Sequence, residues 1–245
     1  MTLRLLHEVG LLVVLSVLMM VPANPMILGA VISCDRPGVL CFGTNDDDIM
    51  NGTNLNDFMR GSDGNDKMYG YDGNDTIEAE NGGDTLFGGD GRDAVIGGAG
   101  NDSLSGGADG DNIQGNDGND TMVGEDGNDR ITGGLGTDML RGGIGRDGMW
   151  GGDGNDTING GDGNDVIFGD TDSFSVNNNP GRDIIRGGLG DDKLFQNQDP
   201  IFANPLTSDG FKDSLNCGPG DDIAYINRTI DHDRAINCEH INPTH

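Results

Sequence analysis

The sequence predicts an all-β fold, a parallel β-roll (β-solenoid) of about 17 nonapeptide repeats with two repeats in each coil. Two observations predict it: Asp recurs at every ninth residue, and an apolar residue follows two positions later, over residues 43–195. A third observation is the content of 45 glycines among 245 residues, which is typical of a chain made largely of tight turns.

The nine-residue register is strict. In blocks of nine written from Gly43, position six is Asp in 16 of the 17 blocks and fails only at Phe174. Position eight is apolar in all 17 blocks, from Met50 to Leu194, and Gly holds position one in 15 blocks and position four in 13. Two such columns are not expected from glycine-rich low complexity, so the register carries structural information.

Each block predicts six turn-forming residues followed by a three-residue strand. The side chain at position eight points inward, and those at positions seven and nine face water. Two blocks then form one coil of 18 residues with a turn on each side, and the coils stack at the strand spacing of about 4.8 Å.

The charge balance points to cations. The chain has 42 acidic and 14 basic residues and a formal net charge of −28, which repels phosphates and excludes nucleic acid as a partner. Such a composition is also typical of disordered chains, but a disordered acidic segment has no reason to be periodic.

The predicted apolar core is too small to stabilise the fold without a bound metal. One inward side chain in every nine residues offsets little of the conformational entropy that folding costs, and stacked aspartates add repulsion. Carboxylates and glycine carbonyls are the ligands of a hard cation that takes six to eight oxygens, and Mg²⁺ is disfavoured because it keeps its waters. The sequence therefore predicts multiple bound Ca²⁺ ions.

The blocks, such as Gly151-Gly-Asp-Gly-Asn-Asp-Thr-Ile-Asn159, resemble the repeats-in-toxin (RTX, haemolysin-type) calcium-binding nonapeptide Gly-Gly-x-Gly-x-Asp-x-U-x, where U is apolar. The resemblance implies a right-handed β-roll in which each Ca²⁺ lies between consecutive turns on one side. It also implies that the position-six carboxylates and turn carbonyls are the ligands.

The implied metal ligands are the position-six aspartates and the position-four glycines of the most regular blocks. They are Asp48, Asp57, Asp66, Asp75, Asp84, Asp93, Asp102, Asp111, Asp120, Asp129, Asp138, Asp147, Asp156, Asp165, Asp183 and Asp192, with Gly64, Gly73, Gly91, Gly100, Gly118, Gly127, Gly154 and Gly163. Asp46 and Leu55 stand where Gly is expected, so blocks one and two should bind weakly, and Phe174 should remove a ligand.

The amino terminus predicts export. Residues 1–30 read as a signal peptide, with Arg4 before an apolar run and cleavage after Ala23 or Ala30. The run is too short to span a bilayer alone, so no membrane span is expected in the mature chain. The alternatives are a retained anchor and lipid attachment at Cys34.

Four cysteines flank the repeats, and behind an export signal they predict disulfides. We expect Cys34 to pair with Cys41 and Cys217 with Cys238. The predicted organisation is an amino-terminal cap at 31–42, the roll at 43–195, a loop at 196–207, and degenerate repeats with a carboxyl-terminal cap at 208–245.

No catalytic motif stands out. There is no His-Glu-x-x-His, and the four histidines lie at the ends of the chain. The sequence predicts not an enzyme but a secreted module, structural or binding, that folds on calcium outside the cell and is either free or associated with the cell surface. Its partner, if any, would be a cell-surface or matrix component met by aromatic residues such as Tyr69 and Trp150. The alternative is a calcium-dependent haemolysin or secreted hydrolase built on the roll.

Overall fold

The structure is a computed structural model that describes residues 29–34, 40–170, 182–195, 213–226 and 234–243. It is a parallel β-solenoid, and no helix occurs among the described residues. The 22 strands of this part of the chain form two 11-stranded sheets, one of odd-numbered and one of even-numbered strands. The predicted fold class is confirmed.

The odd sheet contains β1 (Val31–Ser33), β3 (Ile49–Asn51), β5 (Lys67–Asp72), β7 (Thr85–Asp90), β9 (Ser103–Ala108), β11 (Thr121–Asp126), β13 (Met139–Ile144), β15 (Thr157–Asp162), β17 (Ile184–Leu189), β19 (Ser214–Asn216) and β21 (Arg234–Ile236). The even sheet contains β2 (Leu40–Phe42), β4 (Phe58–Asp63), β6 (Thr76–Asn81), β8 (Ala94–Ala99), β10 (Asn112–Asp117), β12 (Arg130–Leu135), β14 (Gly148–Asp153), β16 (Val166–Phe168), β18 (Lys193–Phe195), β20 (Ile223–Ile226) and β22 (His240–Pro243).

Position eight forms the core, as predicted. Ile113 pairs with Val95 on one side and Ile131 on the other, so like residues stack along the rod. The described position-eight side chains are no more than 2% exposed: Met50, Met59, Met68, Ile77, Leu86, Val95, Leu104, Ile113, Met122, Ile131, Leu140, Met149, Ile158, Ile167, Ile185 and Leu194. Leu215 and Ala224 continue the same columns beyond the repeats.

The strands are longer than the predicted three residues. Most run for six residues, from position seven of one block to position three of the next, as in Thr121–Asp126. Glycine at position one makes this possible: a Cβ at Gly124 would lie 2.6 Å from the carbonyl oxygen of Gly142 in the next coil. The prediction assigned these glycines to turns because glycine is usually a turn residue, whereas here it permits close packing of coils.

One block does not enter the sheets. Thr157 of β15 pairs directly with Ile184 of β17, an offset of 27 residues instead of 18, and β16 pairs directly with β18. The strict alternation of 17 blocks therefore fails once: the chain between β16 and β17 contains one block more than the pairing of β15 with β17 uses, and in the register from Gly43 this is the block at 169–177. Phe174 and the predicted core residue Val176 lie outside the described residues.

Both predicted disulfides are present, Cys34 with Cys41 and Cys217 with Cys238. Residues 1–28, which contain all but the last two residues of the predicted signal peptide, and 196–212, which contain the predicted loop, fall outside the described part of the chain. Within the described part, no helix has the length and apolar character that a membrane crossing needs.

Candidate metal centre

The position-six aspartates form two stacked columns, one on each side of the roll. The odd column precedes the odd strands and contains Asp48, Asp66, Asp84, Asp102, Asp120, Asp138, Asp156, Asp183 and Asp213; the even column precedes the even strands and contains Asp57, Asp75, Asp93, Asp111, Asp129, Asp147, Asp165, Asp192 and Asp222. Every member is at most 4% exposed. The structure thus brings together all sixteen aspartates that the sequence singled out.

One oxygen of each carboxylate joins neighbouring coils. The backbone N–H of Asp111 donates to Oδ1 of Asp129 at 2.8 Å, and that of Asp129 donates to Oδ1 of Asp147 at 2.9 Å. The same bond recurs along both columns, and it spans the 27-residue step from Asp156 to Asp183. Position six therefore ties each coil to the one before it.

The second oxygen has no such partner. Oδ2 is buried and accepts no hydrogen bond from the described residues in Asp66, Asp75, Asp84, Asp93, Asp102, Asp111, Asp120, Asp129, Asp138, Asp147, Asp156, Asp165, Asp192 and Asp222. It lies inside its own turn, against position one: a Cβ at Gly124 would collide with Oδ2 of Asp129. A buried carboxylate oxygen without a donor is costly, so these columns favour either a bound cation or a proton.

The pKa values of the column aspartates also show that their negative charges are unfavourable without a cation. Burial raises the pKa of Asp84, Asp111, Asp138, Asp156 and Asp192 to about 7. Burial also raises the pKa of Asp75, Asp120, Asp129, Asp147 and Asp165 to about 6. The hydrogen bond from the preceding coil opposes this shift, and for most of these groups neighbouring aspartates in the stack add to it. Without a cation, the columns favour protonation.

Backbone carbonyls would supply most of the other ligands of a cation bound in these turns. Among the described residues, no three His, Cys, Asp or Glu side chains converge to hold a metal ion by themselves. The eight glycines implied as ligands all have φ between +124° and +153°, a conformation that side chains disfavour. This donor set of carboxylates and carbonyls fits Ca²⁺ and does not suit a metal that prefers nitrogen or sulfur.

The first two turns are built differently. Oδ2 of Asp48 accepts hydrogen bonds from the backbone N–H of Thr44 at 2.6 Å and from its hydroxyl at 3.0 Å. Thr53 closes the turn of Asp57 in the same way, at 2.6 and 2.9 Å. Protein donors thus satisfy here the oxygen that has no partner elsewhere. The sequence signal was Thr at position two, which the prediction did not use.

A second ladder, at position five, was not predicted. The side-chain oxygen of Asn119 accepts the backbone N–H of Thr137 at 2.7 Å, and Asn128 accepts that of Arg146 at 2.8 Å. This oxygen bonds to the following coil, whereas the position-six carboxylate bonds to the preceding one. The frequent Asn at position five was the available signal.

The columns also extend beyond the predicted ligands. Asp213 and Asp222 accept the backbone N–H groups of Asp183 and Asp192, both at 2.8 Å. Glu239 then ends the even column by accepting the N–H of Asp222 at 3.1 Å. Asp213 and Asp222 are nine residues apart, and each has an apolar residue two positions later, so the repeat pattern itself could have identified them.

We expect Gly124→Ala to lower the free energy of unfolding by about 1–3 kcal/mol, since the new Cβ would press on Asp129 and on the next coil. Gly83→Ala is the matched control: its Cβ would lie 3.2 Å from Oδ1 of Asn65, and its cost should stay within about 0.5 kcal/mol. Urea unfolding in calcium measures both. Equal costs would contradict the close approach at position one.

These features define a class of protein: a parallel β-roll whose turns stack acidic, oxygen-rich cation sites. The chain matches the RTX calcium-binding nonapeptide repeat over residues 42–77, 78–113, 114–149, 141–173 and 179–195. This is more than half of the chain, which therefore belongs to the RTX calcium-binding nonapeptide repeat family, generally a structural calcium-binding module. A comparison with curated proteins found no match.

Proposed function

We propose that this chain is a secreted calcium-binding β-roll that folds on binding multiple Ca²⁺ ions between stacked turns. It would then act outside the cell as a structural or binding module. The observation that carries the proposal is the column of buried Oδ2 atoms without hydrogen-bond donors in successive turns, as in Asp111, Asp129 and Asp147. A cation between adjacent turns would neutralise two carboxylates and join two coils at once.

The proposed ligands are the position-six carboxylates together with turn carbonyls such as that of Gly127. The turns of Asp48 and Asp57 are the least suited, because Thr44 and Thr53 already satisfy their Oδ2 atoms. Calcium would therefore concentrate in the turns from Asp66 onward. The affinity proposed is that of extracellular modules, on the order of 10⁻⁴–10⁻³ M.

Two features support an extracellular site of action. The two disulfides are of the kind that persists in oxidising compartments. The apolar run of the first 30 residues has the length of an export signal. A chain that leaves the cell with little calcium bound would fold where calcium is abundant.

The proposed role is not catalytic. The family is generally a structural calcium-binding module. The buried aspartates of this chain accept hydrogen bonds that join neighbouring coils. The flat outer faces would make contact with a cell-surface or matrix partner. No feature of the described residues favours a haemolysin or a hydrolase over this role.

The test is a calcium titration of the full-length mature chain and of Asp129→Asn. The amide keeps the oxygen that accepts the N–H of Asp111 but removes the charge that Ca²⁺ needs. We expect the variant to bind one or two fewer ions by equilibrium dialysis, since Asp129 borders two inter-turn gaps, and to fold at a higher calcium concentration by circular dichroism.

Asp126→Asn is the matched control, because Asp126 lies three residues away, at the end of β11, and is exposed. It should bind as many ions as the unmodified chain. An Asp129→Asn variant with unchanged ion number and folding midpoint would refute the ligand proposal, and a chain that binds no calcium would refute the function.

A further inference from the structure

Aromatic side chains stack along the outer face of the odd sheet and then stop. The rings of Tyr71 and Tyr69 are 6.2 Å apart, and those of Tyr69 and Phe87 are 5.1 Å apart and nearly parallel. In the next strand, Ser105 and Gly107 pair with Phe87 and Gly89. No ring continues the stack at that step, so one side of the Phe87 ring faces an open space.

This space is a slot in the face of the sheet. It has a volume of about 360 Å³ and is lined by Phe87, Gly89, Ser105, Gly107, Glu125 and Asp126. Phe87 and Glu125 stand on β7 and β11, two strand spacings or about 9.6 Å apart, with the short residues of β9 as the floor between them. The slot therefore has room for one flat group at the stacking distance from Phe87.

The walls of the slot are aromatic on one side and acidic on the other. Phe87 is 40% exposed, and the hydroxyl of Ser105 donates to Oε1 of Glu125 at 2.5 Å, which holds this carboxylate over β9. Asp90 and Asp126 lie at the end of the slot nearest the turns. A flat cation would satisfy both walls.

The even sheet shows how this protein ends a ring stack. Trp150, Phe168, Phe195 and Tyr225 stack at centroid distances of 5.7, 4.5 and 4.5 Å. The guanidinium of Arg130 then covers Trp150 at 4.2 Å from the ring centroid. The odd sheet has a shorter stack, and no arginine of the described residues covers Phe87: positions seven and nine of the next strand are Ser103 and Ser105.

We propose that the slot binds an arginine side chain of a partner protein, with the guanidinium stacked on Phe87 and paired with Glu125. Arginine fits better than lysine because its guanidinium is planar, stacks on aromatic rings and pairs with a carboxylate through two N–H groups. The formal net charge of −28 favours a basic partner. The slot opens on a flat sheet face, so residues flanking the arginine can also make contact.

The probe is a capped pentapeptide, Gly-Ser-Arg-Ser-Gly, titrated into the calcium-loaded full-length protein. Binding is followed by NMR, through the chemical shifts of the backbone amides of Ser105 and Gly107. Two further peptides replace arginine by lysine or by citrulline, its neutral isostere. We expect the arginine peptide to bind at least about tenfold more tightly than the citrulline peptide, because citrulline loses the charge-assisted bond to Glu125. The lysine peptide should be intermediate.

Two variants test the walls. Glu125→Gln should weaken arginine-peptide binding at least about tenfold, and Ser105→Phe should abolish it because the new ring takes the place of the guest. Asp117→Asn, which removes an exposed charge at the end of β10 on the other sheet, should bind like the unmodified protein. Circular dichroism confirms that each variant is folded.

Three results would overturn the proposal: equal binding of the arginine and citrulline peptides, unchanged binding by Glu125→Gln, or signals of Ser105 and Gly107 that do not move. A fourth arm uses the guanidinium ion alone. If the free ion binds as tightly as the arginine peptide, the flanking residues contribute nothing and the slot is a site for small cations instead of a protein contact.

Discussion

Removal of calcium is expected to unfold most of the roll. The core has one large buried apolar side chain per nine-residue block, and in the absence of cations each coil adds buried carboxylates to both columns. At a free calcium concentration ten times the dissociation constant, each site contributes about 1.4 kcal/mol. About four to ten such sites together therefore equal the whole stability of an ordinary domain, about 5–15 kcal/mol.

Circular dichroism at about pH 8, before and after exhaustive chelation, measures this effect, because the column aspartates are ionised at that pH. The β signal should be lost on chelation and restored by Ca²⁺, but not by Mg²⁺ at the same concentration. After chelation, the backbone amides from β5 to β16 should exchange hydrogen fast, because the Oδ2 atoms of Asp66 to Asp165 accept no hydrogen bond from the described residues. A spectrum that is unchanged after chelation would refute calcium-driven folding.

The response to pH is expected to change sign when calcium is removed. In the metal-free protein, burial raises the pKa of Asp84 and Asp138 to about 7 from 3.8. The folded chain then binds more protons than the unfolded chain between these values, so its stability rises as the pH falls and is lost as the pH rises through about 6–7. With calcium bound, protons compete with the ion, so acid weakens binding instead.

Circular dichroism at about pH 5 and pH 8 for calcium-stripped protein, and urea unfolding at the same two pH values for calcium-saturated protein, test this directly. The stripped protein should regain β signal at the acidic pH, where its columns are protonated, whereas the saturated protein should have the higher urea midpoint at the alkaline pH. The same sign in both series would mean that the columns are not the groups that calcium and protons share.

Much of the fold could be predicted because the repeat is local and strict. Asp129 and Ile131 stand at fixed positions of a nine-residue period, and such a period specifies which side chain points inward and which lies in a turn. The disulfide between Cys34 and Cys41 could also be predicted, because the two cysteines are close in sequence and lie at one end of the repeats.

The features that the sequence did not predict have a common physical cause, because they depend on contacts that form only in the folded coils. Whether Gly124 belongs to a turn or a strand depends on the carbonyl of Gly142, which lies 18 residues away. Whether Asp48 needs a cation depends on the hydroxyl of Thr44. The period showed that these residues recur, but the direction of their hydrogen bonds appears only when the coils are stacked.

The slot at Phe87 shows the same limit. Tyr69, Phe87 and Ser105 occupy position nine of alternate blocks, which predicts that they share a face. The sequence alone does not show that two rings stack in register and leave a third place vacant. That arrangement depends on the pairing of β5, β7 and β9.

The block that adds no strand between β15 and β17 shows that the length of an insertion decides which sheet the later strands join. An insertion of 18 residues keeps every later strand in its own sheet and lengthens the rod by one strand spacing, about 4.8 Å. An insertion of nine residues would exchange the two sheets for every later strand unless, as at β17, the extra block is left out of the sheets. Duplication of a pair of blocks therefore lengthens the rod and leaves every later strand in its own sheet. A single added block preserves this arrangement only if it forms a loop outside the two sheets.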